Sequence, residues 1–209
     1  MRPDGRIGIM ISGRGSNMES IIAAAEQGRI PAVVAVVISN EPGAPGIARA
    51  QARGVETVVL DHRQAASREE QDRRIVGVLE ERRVDLVCLA GYMKLLTPVF
   101  LNAYPGRILN VHPALLPAFP GLNVQKKALE YGVRFSGATV HFVDAGVDTG
   151  PIVLQAAVPV EQDDTPQSLA DRILKEEHRI YPEAVCLFFE DRLRIEGRRL
   201  RNLPPAGGA

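Results

Sequence analysis

Residues 32–39 read Ala-Val-Val-Ala-Val-Val-Ile-Ser, eight positions without a charge and five of them β-branched. A strand with one wet face alternates apolar and polar residues; an unbroken run fits a strand covered on both faces, as in a parallel sheet flanked by helices. The rest of the first half keeps that company. Ile7–Ser12 is a short apolar run ending in glycines, and Met18–Glu26 is helical in composition. After the breakers Asn40, Glu41, Pro42 and Gly43, Gly46–Arg53 reads as a short helix and Glu56–Leu60 as a strand. Ser67 with Glu70 forms a capping-box pattern that opens a helix to about Arg82, and Leu86–Ala90 and Arg107–Val111 are two further strands. This alternation predicts an α/β fold whose sheet is mostly parallel, with helices on both faces.

Beyond that the texture changes. Phe135–Phe142 and Ile152–Val160 read as strands with no helix-length segment between them, which predicts an antiparallel C-terminal part. Thr165-Pro166 opens a final helix reaching toward Glu190. We expect one domain over residues 1–196 and a flexible tail over 197–209, rich in Pro and Gly.

Charge narrows the partners. The chain has 209 residues, with 25 Lys and Arg against 25 Asp and Glu. Duplex binders carry a positive excess, so nucleic acid is not expected, and any anion site must be local. Cys88 and Cys186 are too few for a disulfide framework and are expected as buried thiols in a reducing cytoplasm. Residues 1–5 lack a secretory apolar region, and the longest apolar stretch, Pro31 to Ile38, is far short of the roughly 20 residues of a membrane helix.

Three segments carry candidate chemistry. Ser12-Gly13-Arg14-Gly15-Ser16-Asn17 joins the first strand to the first helix, where glycines admit a ligand and a helix start offers N–H groups to a phosphate. Ser16 with Glu19 also matches a capping box, so a tight turn without a ligand is the competing reading. The dinucleotide fingerprint fails at Met18, and no Gly-Lys-Ser/Thr follows. In the second segment, Asn110 and His112 stand two apart at a strand end and share a face, followed by the stiff Pro113 to Pro117. An amide and an imidazole side by side can stabilise an oxyanion and move a proton; a merely structural histidine is the alternative. The third, Asp144 to Pro151, is a glycine-rich turn with two carboxylates, either of which can orient His112 if it is more than a turn. His141, on the preceding strand, is first a supporting histidine. His112, His141 and Asp148 have no metal-ligand spacing, and no G-x-S-x-G elbow is present.

Together these segments resemble the folate-dependent phosphoribosylglycinamide formyltransferases along nearly the whole chain, from Ile9 to about Arg192. The resemblance rests on Ser12–Asn17, Leu89-Ala90-Gly91-Tyr92-Met93, Asn110-Val111-His112-Pro113-Ala114-Leu115-Leu116-Pro117, Val140–Val143 leading to Asp148-Thr149-Gly150-Pro151, and Glu177-His178-Arg179-Ile180-Tyr181-Pro182. It implies a Rossmann-like formyltransferase fold and formyl transfer from the co-substrate 10-formyltetrahydrofolate to glycinamide ribonucleotide, without a metal. By that resemblance Asn110, His112 and Asp148 form the catalytic trio, while Gly15, Ser16, Asn17, Pro113 and Glu177 hold the nucleotide. Met93, Leu95, Leu96, Val143, Asp144 and Asp148 line the folate site, and Arg68 and Lys94 meet its glutamate tail. A monomer or homodimer is expected.

Three rivals frame this expectation. A formyl-folate hydrolase shares the donor site but carries an N-terminal regulatory domain, and a methionyl-tRNA formyltransferase adds a basic RNA-binding domain. A non-catalytic phosphometabolite-binding module gives no reason for Asn110, His112 and Asp148 to occur together.

Overall fold

A computed structural model describes residues 5–204. The reading of the N-terminal residues 1–4 and of the last part of the expected tail, 205–209, lies outside the described residues. Nine strands and six α-helices are present among those described. A seven-stranded sheet has the order β3-β2-β1-β4-β5-β6-β7, and β8 and β9 form a separate pair. The chain divides into two compact units between Asn110 and Val111, within β5.

The first unit holds β1 (Gly5–Ile11), α1 (Ser16–Glu26), β2 (Ala32–Ser39), α2 (Pro45–Ala52), β3 (Thr57–Val59), α3 (Arg68–Glu81), β4 (Leu86–Leu89), α4 (Pro98–Ala103) and the start of β5 (Ile108–His112). Every pairing among β1 to β5 is parallel. Ile7, Ile9, Met10 and Ile11 of β1, Val36 to Ile38 of β2 and all of β4 are buried, as the unbroken apolar runs require. Burying such side chains contributes about 1.5–3 kcal/mol each. Because the strands run the same way, the loops after β1, β2, β4 and β5 leave from one edge of the sheet, the edge where such folds bind ligands. The Ser67 hydroxyl accepts from Glu70 N–H at the start of α3, while the Glu70 carboxylate reaches back to Ala66 N–H.

The second unit holds α5 (Val124–Tyr131), β6 (Phe135–Phe142), β7 (Ile152–Pro159), α6 (Pro166–Phe189), β8 (Leu193–Glu196) and β9 (Arg199–Asn202). β6 pairs antiparallel with β7, Phe135 opposite Pro159, with a register shift after Val140. α6 packs on both strands and on α5 through Leu169, Ile173, Ile180, Tyr181 and Val185. Thr165 caps it in a reciprocal box with Ser168, and Pro166 stands in the first turn. The Arg172 guanidinium beside Asp164, with help from the Ser168 hydroxyl, holds that carboxyl well below the usual carboxylate range despite the opposing effect of burial.

Several expectations need correction. Helices α4 and α5 and the hairpin β8–β9 were not apparent in the residue pattern, and Arg199–Asn202 is a strand where a flexible tail was expected. Cys88 is buried, but Cys186 is only half-buried on α6.

Candidate active site

In the first unit the glycine loop runs from β1 into α1. Gly15 adopts the left-handed conformation, φ 74°, and occupies the cap position of α1 without a side-chain cap bond. The expected capping box of Ser16 and Glu19 therefore does not form: the turn at Gly15 carries Ser16 into the helix, and Glu19 instead pairs with Arg49 at 2.6 Å. The first turn of α1 points its backbone N–H groups toward the loop, and Ser16 and Asn17 lie in it. Gly15 is also in close contact with a second glycine. A Cβ on Gly15 would stand 3.1 Å from Gly46 Cα, and Gly46 N–H donates to Gly13 O at 3.0 Å.

Ser12, the first residue of the glycine segment, ties three loops together. Its hydroxyl donates to Asn40 Oδ1 at 2.6 Å and accepts from Met93 N–H at 2.9 Å, and its own N–H donates to Gly91 O at 3.1 Å. The segment after β4 is thus pinned at its start. At its far end Asp72 accepts from Thr97 N–H at 2.7 Å, from a buried position. Burial raises the Asp72 carboxyl pKa, against the lowering effect of the Thr97 bonds. Between these anchors Met93, Lys94 and Leu95 are exposed and Leu96 is half-buried. An open depression of about 490 Å³ is lined by Ser12, Glu41, Gly43, Ala44, Pro45 and Met93. Arg68 is exposed at the first position of α3.

Strand β5 carries Asn110, half-buried, and His112, buried, two positions apart as the strand period requires. In the second unit His112 joins two other expected residues. His112 Nδ1 lies 3.3 Å from Asp148 Oδ2, and His141 Nε2 lies 3.6 Å from Asp148 Oδ1. Asp148 also accepts from Gly121 N–H at 2.9 Å. Burial works against its ionisation, but the hydrogen bonds of His141 and Gly121 and the charges of the two histidines outweigh it. The net result is a carboxyl held below its ordinary value. Each histidine anchors its remaining nitrogen on a backbone carbonyl: His112 Nε2–H donates to Phe119 O and His141 Nδ1–H to Phe142 O, both at 2.8 Å.

Asp148 is itself in the left-handed region, φ 54°, which Asp and Asn tolerate best after glycine. Its turn is braced by Asp144, which accepts from Gly146 N–H at 3.0 Å and Thr149 Oγ1 at 2.6 Å. Pro113, directly after His112, and Val143, two residues after His141, are half-buried, and Glu177 is buried on α6. Among the described residues, no group of three or more His, Cys, Asp or Glu is arranged to hold a metal ion, and no helix is long and apolar enough to cross a membrane.

A carboxylate held ionised between two imidazoles can shuttle a proton and stabilise charge that develops beside it. Comparison with known proteins gives that chemistry a class. The family model described as formyl transferase matches residues 5–185, and the chain belongs to that family. Within it, phosphoribosylglycinamide formyltransferase of Escherichia coli is 40% identical over 208 residues, covering 96% of this chain and 97% of the relative. The Haemophilus influenzae enzyme of the same name is 43% identical, covering 91% and 90%. The crystal structure of glycinamide ribonucleotide transformylase 1 from Symbiobacterium toebii superposes with a TM-score of 0.96 at 54% identity, over 98% of this chain and 96% of that one. The trifunctional purine biosynthetic protein adenosine-3 of Drosophila melanogaster is 48% identical over 184 residues; the chain spans only 14% of its length.

Proposed function

We propose that this protein transfers the formyl group of 10-formyltetrahydrofolate to the amine of glycinamide ribonucleotide, a step of de novo purine biosynthesis. The observation that carries the reading is the Asp148 carboxylate, kept ionised beside His112 Nδ1 in a member of the formyl transferase family. The glycine loop at Gly15, Ser16 and Asn17 takes the substrate phosphate through first-turn N–H groups and the helix dipole, which explains how a chain without net charge binds an anion. Pro113 and Glu177 serve the ribonucleotide. Met93, Leu95, Leu96, Val143 and Asp144 hold the folate ring system, and Arg68 and Lys94 its glutamate tail.

The substrate amine attacks the formyl carbon, and the carbonyl π electrons move onto oxygen. Asn110 N–H and the protonated His112 Nδ1–H stabilise that oxyanion. The 3.3 Å between Nδ1 and Asp148 is longer than the 2.7–2.9 Å of a tight charge-assisted bond, so Nδ1–H is not committed to the carboxylate. Asp148 passes the attacking amine's proton, through water, to folate N10 as the C–N10 bond breaks. Holding both substrates in a reactive orientation supplies the remaining acceleration. His141 supports Asp148 from the other side. Residues 1–196 act as one catalytic domain, in the cytoplasm, as a monomer or homodimer.

The test is to follow loss of the formyl donor with and without glycinamide ribonucleotide. Loss only with the nucleotide supports the transfer reading. Loss without it identifies a hydrolase, and no loss in either condition identifies a binding module.

A further inference from the structure

His112 is held by a carbonyl, and that carbonyl sits in a segment with its own buried anchor. Phe119 adopts φ 52°, a left-handed conformation that is unfavourable for a bulky L-residue and persists only where surroundings impose it. Part of the imposition is local. Ala118 N–H donates to Leu115 O at 3.0 Å, and the Phe119 ring packs edge-on against Tyr131 at 5.8 Å. The rest comes from the neighbouring hairpin. Thr139, fully buried on β6, donates its hydroxyl to Ala114 O at 2.6 Å and accepts from Leu116 N–H at 3.0 Å. Gln155, opposite Thr139 on β7, donates to Leu116 O at 2.9 Å and to Thr139 Oγ1 at 3.0 Å. Two side chains thus satisfy three backbone groups of the segment that leads from His112 to Phe119.

The direction of the Phe119 bond decides which imidazole nitrogen is available. A carbonyl oxygen only accepts, so at 2.8 Å the Nε2 of His112 must carry a proton. Neutral His112 therefore has its hydrogen on Nε2 and a bare Nδ1 facing Asp148, ready to take up or give a proton there. We propose that Thr139 and Gln155 are positioning residues for His112: they hold the 114–119 segment so that Phe119 O captures Nε2–H and leaves Nδ1 as the working nitrogen. The role of Nδ1 in turnover rests on the formyl-transfer reading, whereas the tautomer itself does not.

Nitrogen NMR on the uniformly labelled intact protein reads the tautomer directly, independent of substrate. With His112 neutral, the parent protein is expected to show the Nε2–H form. Thr139→Val leaves Ala114 O and Leu116 N–H without their partner, and a mixed tautomer population is expected, with kcat down about 10- to 100-fold as for misplacement of a catalytic group. Both Michaelis constants should stay within about twofold. Thr139→Ser, which keeps the hydroxyl, should restore the Nε2–H form and most of kcat, and Gln155→Leu should give an intermediate loss. A neutral Nδ1–H form in the parent overturns the proposal even if no variant folds. So does a folded Thr139→Val with parental tautomer and kcat. If the parent shows the Nε2–H form yet has no transferase activity, the function reading fails while the tautomer assignment stands.

Discussion

Replacing Asp148 by Asn separates charge from shape at the centre of the site. Asn is nearly isosteric, accepts from Gly121 N–H as Asp does, and tolerates φ 54°, so the backbone has no reason to move. What disappears is the negative charge 3.3 Å from His112 Nδ1. Two unit charges at that separation interact by about 5 kcal/mol at an effective dielectric constant of 20 and about 1 kcal/mol in bulk water. A half-buried carboxylate falls between, and with tenfold in rate for each 1.4 kcal/mol or so, kcat should fall by about a hundred- to a thousandfold. The assay is steady-state formyl transfer near pH 7.5 under saturating substrates, with a melting curve on the same sample. Asp148→Ala is the poorer probe, since it adds left-handed strain to the loss of charge. The melting curves carry a second expectation. The Asp148 carboxyl is lowered in the folded protein, so its stabilisation is present above the ordinary carboxylate value and is lost as pH falls through the folded value. The parent's stability advantage over Asp148→Asn should therefore narrow toward pH 2. A folded Asp148→Asn enzyme within threefold of the parental kcat would refute the charge argument.

Other perturbations address the remaining parts. Ser16→Asp puts a negative charge in the first turn of α1 and should raise the Michaelis constant for the nucleotide far more than for the folate donor; equal rises would remove the phosphate from that loop. Ser12→Ala removes the hydroxyl that fixes Met93 N–H, and at about 1 kcal/mol for a hydrogen bond the donor's Michaelis constant should rise roughly fivefold. An unchanged donor constant would show that Met93 does not need this anchor. Asp72→Asn should gain stability over the parent at pH 8 but not at pH 4, because burial raises this carboxyl and its ionisation costs more as pH rises through the folded value. A gain that is the same at both pH values counts against a strained buried carboxyl. Gly150→Ala would place a Cβ 1.8 Å from Phe142 O, a backbone atom, and should cost more than about 2 kcal/mol in urea denaturation.

Where the residue pattern spoke, it spoke through periodicity and burial. Strand β2 is found at Ala32–Ser39, and Asn110 and His112 share a strand because a period of two is visible in the sequence. Short helices are less visible. α5 has eight residues, starts from a left-handed Asn123 without a side-chain cap, and is stabilised by packing rather than by propensity. The hairpin β8–β9 offers only Leu193, Ile195 and Leu200 as apolar residues, too few for a clear alternation. At the site, Asp148 was legible as one of two acids in a glycine-rich turn. The Phe119 carbonyl was not, since every residue carries one and only the backbone angle tells where it points. Ser16 and Glu19 misled because a capping box and a glycine-capped helix start differ by the conformation of one residue, Gly15.

The contact between Gly15 and Gly46 changes what counts as the loop. The stretch Ser12–Asn17 looks self-contained, yet a Cβ on Gly46 would fall 2.6 Å from Ile11 Cδ1 and 3.0 Å from Gly13 O. The motif is therefore bipartite, its second half a single glycine some thirty residues downstream, in the first turn of α2. A pattern search confined to the contiguous segment would accept chains unable to close the loop. Conversely, a variant at Gly46, far in sequence from the loop it packs against, should behave like a lesion in the phosphate site.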